Sequence, residues 1–180
     1  MLEIRIHGLG GQGAVTCSYL IATGAFLEGF YAQAFPMFGI ERRGAPARAF
    51  VRISKEKIKL REQIYNPDII LIMHEGLIEK DNALIGVKNN GTVIVNAKKE
   101  EKLKKDNINF FYLDLTKMAL EHLGRNILST AMFGAFCGIT GIIKYKTIKD
   151  VLPRFFKGEL LQKNILVTEK AFEVARKMIL

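Results

Sequence analysis

Hydrophobic and polar residues alternate along some segments of this chain and recur at helical spacing along others. The alternation predicts strands over 2–7 and 48–54, and an unbroken apolar run at 69–72 is typical of a strand covered on both faces. Further strands are predicted from apolar segments at 31–35, 92–96 and 108–113. Helical segments are predicted at about 11–27, 76–85, 98–105, 115–123, 128–143, 147–157 and 159–178.

Two of the predicted helices carry features that indicate how they pack. Gly134 and Gly138 lie in the helix over 128–143, and small residues of this kind suit close approach to another backbone. The last helix has apolar residues at helical spacing, which predict a stripe facing the core: Val167, Ala171, Val174 and Met178.

The order of these elements predicts the class of fold. Strands that alternate with helices indicate a doubly wound α/β fold, in which helices cover both faces of a mostly parallel sheet. A polar turn at 55–57 also predicts an antiparallel hairpin around 48–60, with 58–60 as the second strand. The chain has 180 residues and shows no repeat and no low-complexity segment, so we expect one domain over 1–180.

The charge and hydropathy of the chain bear on whether a nucleic acid or a membrane is its partner. The net charge is +9, but much of the excess is lysine around 98–105 and 144–149, which favours solvated surface over a nucleic-acid site. The chain begins directly on a predicted strand, and no apolar run reaches about 18 residues. We therefore expect a cytoplasmic protein with neither a nucleic acid nor a membrane as its partner.

The cysteine and histidine content argues against a metal site. Cys17 and Cys137 are far apart in sequence and form no C-x-x-C motif, so neither an iron–sulfur cluster nor a structural zinc site is expected. Both cysteines lie in apolar helical contexts and are predicted to be small buried residues. His74 and His122 lack partners at ligand spacing, and His7 ends the first strand, where a bond to backbone is the simplest expectation.

Residues 8–13, here called the glycine loop, connect the first strand to the first helix. They match G-x-G-x-x-G, and backbone N–H groups in this setting can bind an anion. A P-loop is excluded because Ala14-Val15 stands where Lys-Ser/Thr is required. A dinucleotide site needs an acidic residue at the end of the second strand, where it binds the ribose. Here Ala34-Phe35-Pro36 ends that strand, and Glu28 comes before it. A stand-alone NAD(P)-binding protein is therefore a second hypothesis, and a loop that serves only close packing is a third.

Residues 36–47, here called the arginine loop, are the second candidate binding segment. Two prolines and two glycines exclude regular structure there. Adjacent Arg42 and Arg43 would point to opposite sides of an extended loop. An arginine bonded to phosphate contributes about 1.5–3 kcal/mol, and its forked geometry suits that group. A salt bridge that fixes the loop explains the two arginines equally well.

Four motifs are spread over most of the chain. They are His-Gly-Leu-Gly-Gly-Gln-Gly at 7–13, Ala-Gln-Ala-Phe-Pro-Met-Phe-Gly-Ile-Glu-Arg-Arg-Gly-Ala-Pro at 32–46, Gln-Ile-Tyr-Asn-Pro-Asp at 63–68 and Thr-Ala-Met-Phe-Gly-Ala-Phe at 130–136. Together they resemble the gamma subunit of 2-oxoacid:ferredoxin oxidoreductases, above all the pyruvate and 2-oxoisovalerate members. The helices after residue 143 add nothing to the resemblance.

The resemblance implies one subunit of a larger oxidoreductase. In that family, alpha and beta subunits hold thiamine diphosphate with Mg, and a delta subunit carries iron–sulfur clusters. The assembly decarboxylates a 2-oxoacid such as pyruvate, passes electrons to ferredoxin and delivers the acyl group to coenzyme A, which yields acetyl-CoA from pyruvate. For this chain it implies a role in subunit assembly and coenzyme A binding, with no catalytic residue and no metal of its own.

The chemistry of the two loops suggests which residues would meet coenzyme A. Backbone N–H groups and guanidinium groups both suit its phosphates, so the expected cofactor-binding residues are Gly8, Gly10, Gly11, Gln12, Gly13, Arg42 and Arg43. The same loops suit contacts with a partner subunit equally well. The apolar residues of the arginine loop and its entry favour such an interface: Phe35, Met37, Phe38 and Ile40.

Overall fold

The computed structural model describes residues 1–37, 44–98 and 107–180. Its strands are β1 (Leu2–Leu9), β2 (Tyr31–Pro36), β3 (Pro46–Ser54), β4 (Ile69–Ile72), β5 (Gly91–Asn96) and β6 (Ile108–Leu113). Its helices are α1 (Ala14–Leu27), α2 (Leu77–Lys80), α3 (Leu115–Leu123), α4 (Ser129–Thr140), α5 (Tyr145–Val151) and α6 (Gly158–Lys177), with a 3₁₀ turn at Leu152–Arg154.

The strands form one sheet in the order β2-β3-β1-β4-β5-β6. β1, β4, β5 and β6 run parallel, whereas β3 is antiparallel to both of its neighbours. The predicted α/β fold with a mostly parallel sheet is therefore confirmed. The prediction of an antiparallel strand in this part of the chain is correct. The predicted hairpin with 58–60 is wrong, because β1 and β2 already occupy both edges of β3.

One face of the sheet, here called the helical face, is covered by α1 and α4, and α3, α5 and α6 pack on those two helices. Its apolar core includes alternate residues of β1 and β3, such as Ile4, Ile6 and Val51, all fully buried. At the centre, a Cβ on Gly134 would overlap the carbonyl oxygen of Thr168 in α6. The predicted close packing of this helix against another backbone is confirmed.

The opposite face of the sheet, here called the polar face, has a much smaller apolar cluster. Ile70 and Val93 pack there against Leu77 of α2. Helices thus lie against both faces, as predicted, but α2 is shorter than the expected helix over 76–85. The left-handed backbone of Asn82, with φ of 48°, ends it early.

Several predicted helix ends need correction. α1 begins at Ala14 rather than near Gly11, because Gly13 has φ of 88° and cannot continue a right-handed helix. The helix expected over 147–157 ends at Val151 and gives way to the 3₁₀ turn around Pro153. The helix expected over 98–105 falls outside the described residues apart from Lys98.

The predicted core stripe of α6 is correct for Val167 and Ala171, which are fully buried. The prediction is wrong for Met178, which follows the end of the helix and is 40% exposed. Ala175 is buried in its place. Cys17 and Cys137 are buried, as predicted. Within the described ranges, no helix combines the length and apolarity needed to cross a bilayer.

Candidate functional site

The glycine loop lies where the carboxyl ends of the parallel strands meet, which is where ligands bind in sheets of this type. A cleft of about 200 Å³ opens at this edge. It is lined by residues that follow β1, β4, β5 and β6: Gln12, His74, Glu75, Asn96, Ala97, Lys98, Asp114, Thr116 and Asn126.

Two backbone hydrogen bonds join the glycine loop to the end of the arginine loop. The N–H of Gly10 donates to the carbonyl of Ala45 at 2.8 Å, and the N–H of Gly44 donates to the carbonyl of Gly10 at 3.1 Å. The two segments that sequence analysis singled out therefore meet at Gly10. Arg42 and Arg43 lie outside the described residues, next in the chain to Gly44.

Gln12 holds the glycine loop in shape. Its side-chain Oε1 accepts the N–H of Leu9 at 2.8 Å, and its carbonyl accepts the N–H of Leu128 at 2.9 Å. The residue is buried and also forms part of the cleft wall. The side chain of Gln12 thus fixes the loop to β1, and its backbone carbonyl fixes the loop to the start of α4.

The glycines of the loop serve different purposes. A Cβ on Gly13 would lie 2.9 Å from the Cβ of Ser129, and one on Gly8 would lie 3.2 Å from the Sδ of Met73. Close packing therefore accounts for these two positions. Gly11 is exposed, has φ of 95°, and its N–H makes no hydrogen bond within the described part of the chain.

The far wall of the cleft is a rigid polar corner that sequence reasoning missed. The Nδ2 of Asn96 donates to the carbonyl of Met73 and to the hydroxyl of Thr116, both at 2.9 Å. Its Oδ1 accepts the N–H of Thr116 at 3.1 Å. The available signal was a polar residue at the end of a buried strand, which in a parallel sheet lies at the ligand-binding edge.

Four side chains on the polar face form a second polar centre, here called the charged cluster: Arg5, His7, Arg48 and Asp81. His7 Nδ1 lies 2.6 Å from a carboxylate oxygen of Asp81, and Arg5 Nε donates to His7 Nε2 at 2.9 Å. Arg48 Nε donates to the same carboxylate at 2.9 Å. Arg48 therefore belongs to an ion pair with Asp81.

The partners of His7 determine its protonation. Because Arg5 can only donate, Nε2 of His7 must accept, and the proton sits on Nδ1, where it is donated to Asp81. Burial lowers the pKa of His7, against the opposing effect of the Asp81 hydrogen bond, which favours the neutral imidazole. Burial alone would raise the pKa of Asp81, but hydrogen bonds from His7 and Arg48 outweigh it and hold that pKa well below its usual range.

Arg5 connects the cluster to two irregular segments. One of its terminal nitrogens, Nη2, donates to the carbonyl of Ala83 at 3.1 Å, and the other, Nη1, donates to that of Tyr65 at 3.3 Å. Every donor direction of this guanidinium thus meets an acceptor, so the cluster binds the segments around residues 65 and 83 to the sheet. The expected bond from His7 to backbone is wrong, because both ring nitrogens bond to side chains, and Asp81, which lies 74 residues away, was missed.

Glu28 makes structural hydrogen bonds, and its position excludes it from a ribose site beside the glycine loop. Its carboxylate accepts the hydroxyl of Thr147 at 2.5 Å and the N–H of Lys144 at 2.9 Å. It ends α1, so it lies at the opposite edge of the sheet from the glycine loop. Among the residues described, no group of three His, Cys, Asp or Glu side chains could hold a metal ion.

The fold and this edge together define an α/β protein whose loops meet at the ligand-binding end of a mixed sheet. Residues 3–174 match the family model for pyruvate ferredoxin/flavodoxin oxidoreductase, and the chain belongs to that family. It is 45% identical over 178 residues to the pyruvate/ketoisovalerate oxidoreductases common subunit gamma of Thermococcus litoralis, with 96% of each chain covered.

Solved structures agree with this assignment. The crystal structure of pyruvate oxidoreductase subunit PORC from Thermotoga maritima matches with a TM-score of 0.83 at 32% identity, covering 96% of this chain and 95% of that one. The fold also matches 2-oxoglutarate:ferredoxin oxidoreductase from Magnetococcus marinus, solved with 2-oxoglutarate, coenzyme A and succinyl-CoA, with a TM-score of 0.83 at 21% identity. This chain covers 98% of its own length and 31% of that larger chain.

Proposed function

We propose that this chain is the gamma subunit of a 2-oxoacid:ferredoxin oxidoreductase whose substrate is pyruvate. Alpha and beta subunits would hold thiamine diphosphate and Mg, a delta subunit would carry the iron–sulfur clusters, and ferredoxin would accept the electrons. The names and full-length coverage of the relatives support this assignment. The assembly would work in the cytoplasm and convert pyruvate to acetyl-CoA.

Within that assembly, the gamma subunit contributes to the binding of coenzyme A. The observation that supports this is the pair of backbone hydrogen bonds between Gly10 and residues 44 and 45. Because of them, the glycine loop and the end of the arginine loop form one surface at the carboxyl edge of the sheet. Arg42 and Arg43 are within two residues of Gly44 along the chain.

The chemistry of this surface fits the phosphates of coenzyme A. α1 begins without a side-chain cap, so the N–H groups of its first turn have no partner from a cap and carry partial positive charge. Gly11, an exposed residue, adds an N–H that makes no hydrogen bond within the described ranges. Coenzyme A, when bound, supplies the thiol that accepts the acyl group, and this chain supplies only binding and orientation.

The loop residues divide into two roles under this proposal. Gly8 and Gly13 allow close packing, while Gly10 and Gln12 hold the loop in position. The residues that would contact phosphate directly are Gly11, Arg42 and Arg43.

The arginines are tested in the purified oxidoreductase by the double variant R42A/R43A. We expect the KM for coenzyme A to rise at least about tenfold, because each charged hydrogen bond is worth about 1.5–3 kcal/mol. The KM for pyruvate should not change, and R154A/R176A serves as a control with the same loss of charge, since both residues are exposed and neither lines the cleft. An unchanged KM for coenzyme A in a fully assembled complex would exclude this role.

Gly11 provides an independent test through its left-handed backbone, which Asn and Asp tolerate better than other residues. G11D places a carboxylate where a phosphate is expected and should raise the KM for coenzyme A more than the neutral variant G11N does. Gly29 has a similar φ of 89° and open space around it, so G29D is the matched control. Equal effects of G11D and G11N would show that Gly11 is remote from the phosphates.

A further inference from the structure

A groove of about 800 Å³ lies at the end of the sheet opposite the glycine loop. Leu2, at the start of β1, and its β3 partner Ile53 lie in this groove. Apolar side chains make up most of its lining: Met1, Leu2, Phe30, Ile53, Ile58, Leu60 and Ile142. We call it the lysine groove because Lys55, Lys57 and Lys59 also line it.

The apolar lining is open to solvent. Met1 is 57% exposed and Leu60 is 42% exposed, although both are large hydrophobic residues. Leu2, Phe30 and Ile142 are half-buried. A concave apolar surface of this kind gains stability when a partner covers it.

The three lysines have no acidic partner in the described part of the chain. Lys55, Lys57 and Lys59 are exposed, and within the described residues no carboxylate lies within 4.0 Å of their ammonium groups. Among the other described lysines, five do have such a carboxylate, namely Lys88, Lys117, Lys144, Lys149 and Lys163, whereas the exposed Lys157, Lys170 and Lys177 do not. Against the three lysines, Glu56 is the one acid among the described residues that line the groove. The lining is therefore apolar and positively charged.

We propose that the lysine groove binds an acidic amphipathic segment of another subunit. Apolar side chains of that segment would cover the floor, and carboxylates on either side of them would pair with the lysines. A second copy of this chain suits the groove poorly, because its net charge of +9 opposes docking onto a positive surface. A lipid bilayer suits it poorly too, because the apolar residues line a concave surface.

This inference rests on the proposed function, since it takes the partner to be a subunit of the same oxidoreductase. The groove lies at the opposite edge from the coenzyme A surface, so the two proposals give different readouts. Coenzyme A affinity tests the loops, while retention of a partner subunit tests the groove.

Carbodiimide cross-linking of the purified native complex tests the groove directly, since this reagent joins lysines only to carboxylates in contact with them. We expect peptides that link Lys55, Lys57 or Lys59 to an Asp or Glu of a different subunit. Absence of such links, or links only to a second copy of this chain, would overturn the proposal.

A variant series measures the contribution of the charges. In K55A/K57A/K59A we expect the partner to dissociate at lower salt and its affinity to fall about tenfold, because exposed pairs are individually weak and screened by salt. K157A/K170A/K177A removes the same charge from the region of α6 and should behave as wild type. The KM for coenzyme A should stay constant in both. Equal dissociation of the two triple variants would show that only net charge matters and would overturn the proposal.

A synthetic probe separates the acidic partner from other anionic surfaces. A fluorescent peptide of alternating Leu and Glu should bind the full chain and lose affinity in K55A/K57A/K59A. Phosphatidylglycerol vesicles and duplex DNA should bind more weakly and respond equally to both triple variants. Preference for vesicles or DNA through the groove lysines would assign it to one of those partners instead.

Discussion

The two faces of the sheet are buried by different means. On the helical face, Ile4 and Ile6 of β1 pack into an apolar core beneath five helices. On the polar face, Arg5 and His7 of the same strand enter the charged cluster, which is covered by irregular segments. The same strand therefore contributes apolar packing to one face and a paired charge network to the other.

The difference matters because the two kinds of burial respond to different changes. An apolar core loses stability in proportion to the volume removed and is insensitive to pH. A buried charge network loses stability when one partner is removed, because the remaining charges lack compensation. β3 repeats the pattern: Val51 faces the apolar core, while Arg52 pairs with Glu3 at 3.0 Å.

The largest effect is expected on the helical face. Phe136 is fully buried at the centre of α4, and Phe136→Ala should lower the free energy of unfolding by about 3–5 kcal/mol. Urea denaturation at two pH values measures this loss, which should be the same at both. Phe136→Leu should lose much less. A strongly pH-dependent loss would contradict the picture of a purely apolar core.

The next largest effect is expected in the charged cluster. Asp81→Asn removes the carboxylate that pairs with Arg48 and accepts the His7 hydrogen bond, and it should lower the free energy of unfolding by about 2–4 kcal/mol. The exposed Asp150 provides the matched control, since Asp150→Asn should change little. If both variants were equally stable, the cluster would contribute nothing to holding the polar face.

Stability measured as a function of pH distinguishes the two faces without a mutation in the core, because His7 and Asp81 of the charged cluster titrate. Since the pKa of His7 is lowered by burial, the unfolded chain binds a proton more readily than the folded one, and stability falls as the pH drops below about 6.5. The slope from this residue should reach at most about 1.4 kcal/mol per pH unit. The depressed pKa of Asp81 adds a second loss below about pH 3.9.

The His7→Gln variant identifies the source of the first slope. Its unfolding free energy, measured by urea denaturation between about pH 7 and pH 5, should lose the component that His7 contributes. His122→Gln should retain it. If the unfolding free energy of His7→Gln fell with decreasing pH as steeply as that of the wild type, the titrating group would be a different residue.

The smallest effect is expected at the rim of the polar face. Lys88 is 41% exposed in its side chain and lies 2.9 Å from a carboxylate oxygen of Asp68. Lys88→Ala should therefore cost only about 0.2–1 kcal/mol, and high salt should reduce the difference further. A loss as large as that of Asp81→Asn would mean that rim and cluster form one network.

Much of the architecture was predictable because the period of hydrophobic residues reports which side of an element is buried. The alternation in β1 and β3, the apolar run of β4 and the glycines of α4 all gave correct elements. The position of the glycine loop at the carboxyl edge followed from the same pattern. Errors arose at ends, where single residues such as Gly13 and Asn82 adopt left-handed backbone.

The candidate sites were less predictable because they depend on contacts distant in sequence. Nothing local indicates that β3 inserts between β1 and β2 instead of pairing with 58–60. Likewise, the pairing of His7 with Asp81 spans 74 residues. Sequence could place His7 at the end of a strand but could not select its partner.

The sequence by itself thus determined the class of fold, the family motifs and the loop at the carboxyl edge, because each depends on residue type and local spacing. Only the tertiary structure decided that Gly10 joins the two loops through Ala45 and Gly44, that Asp81 completes the charged cluster, and that three lysines surround an apolar groove. The physical reason is that hydrogen bonds and charges act between neighbours in space, which the folded chain brings together from distant positions.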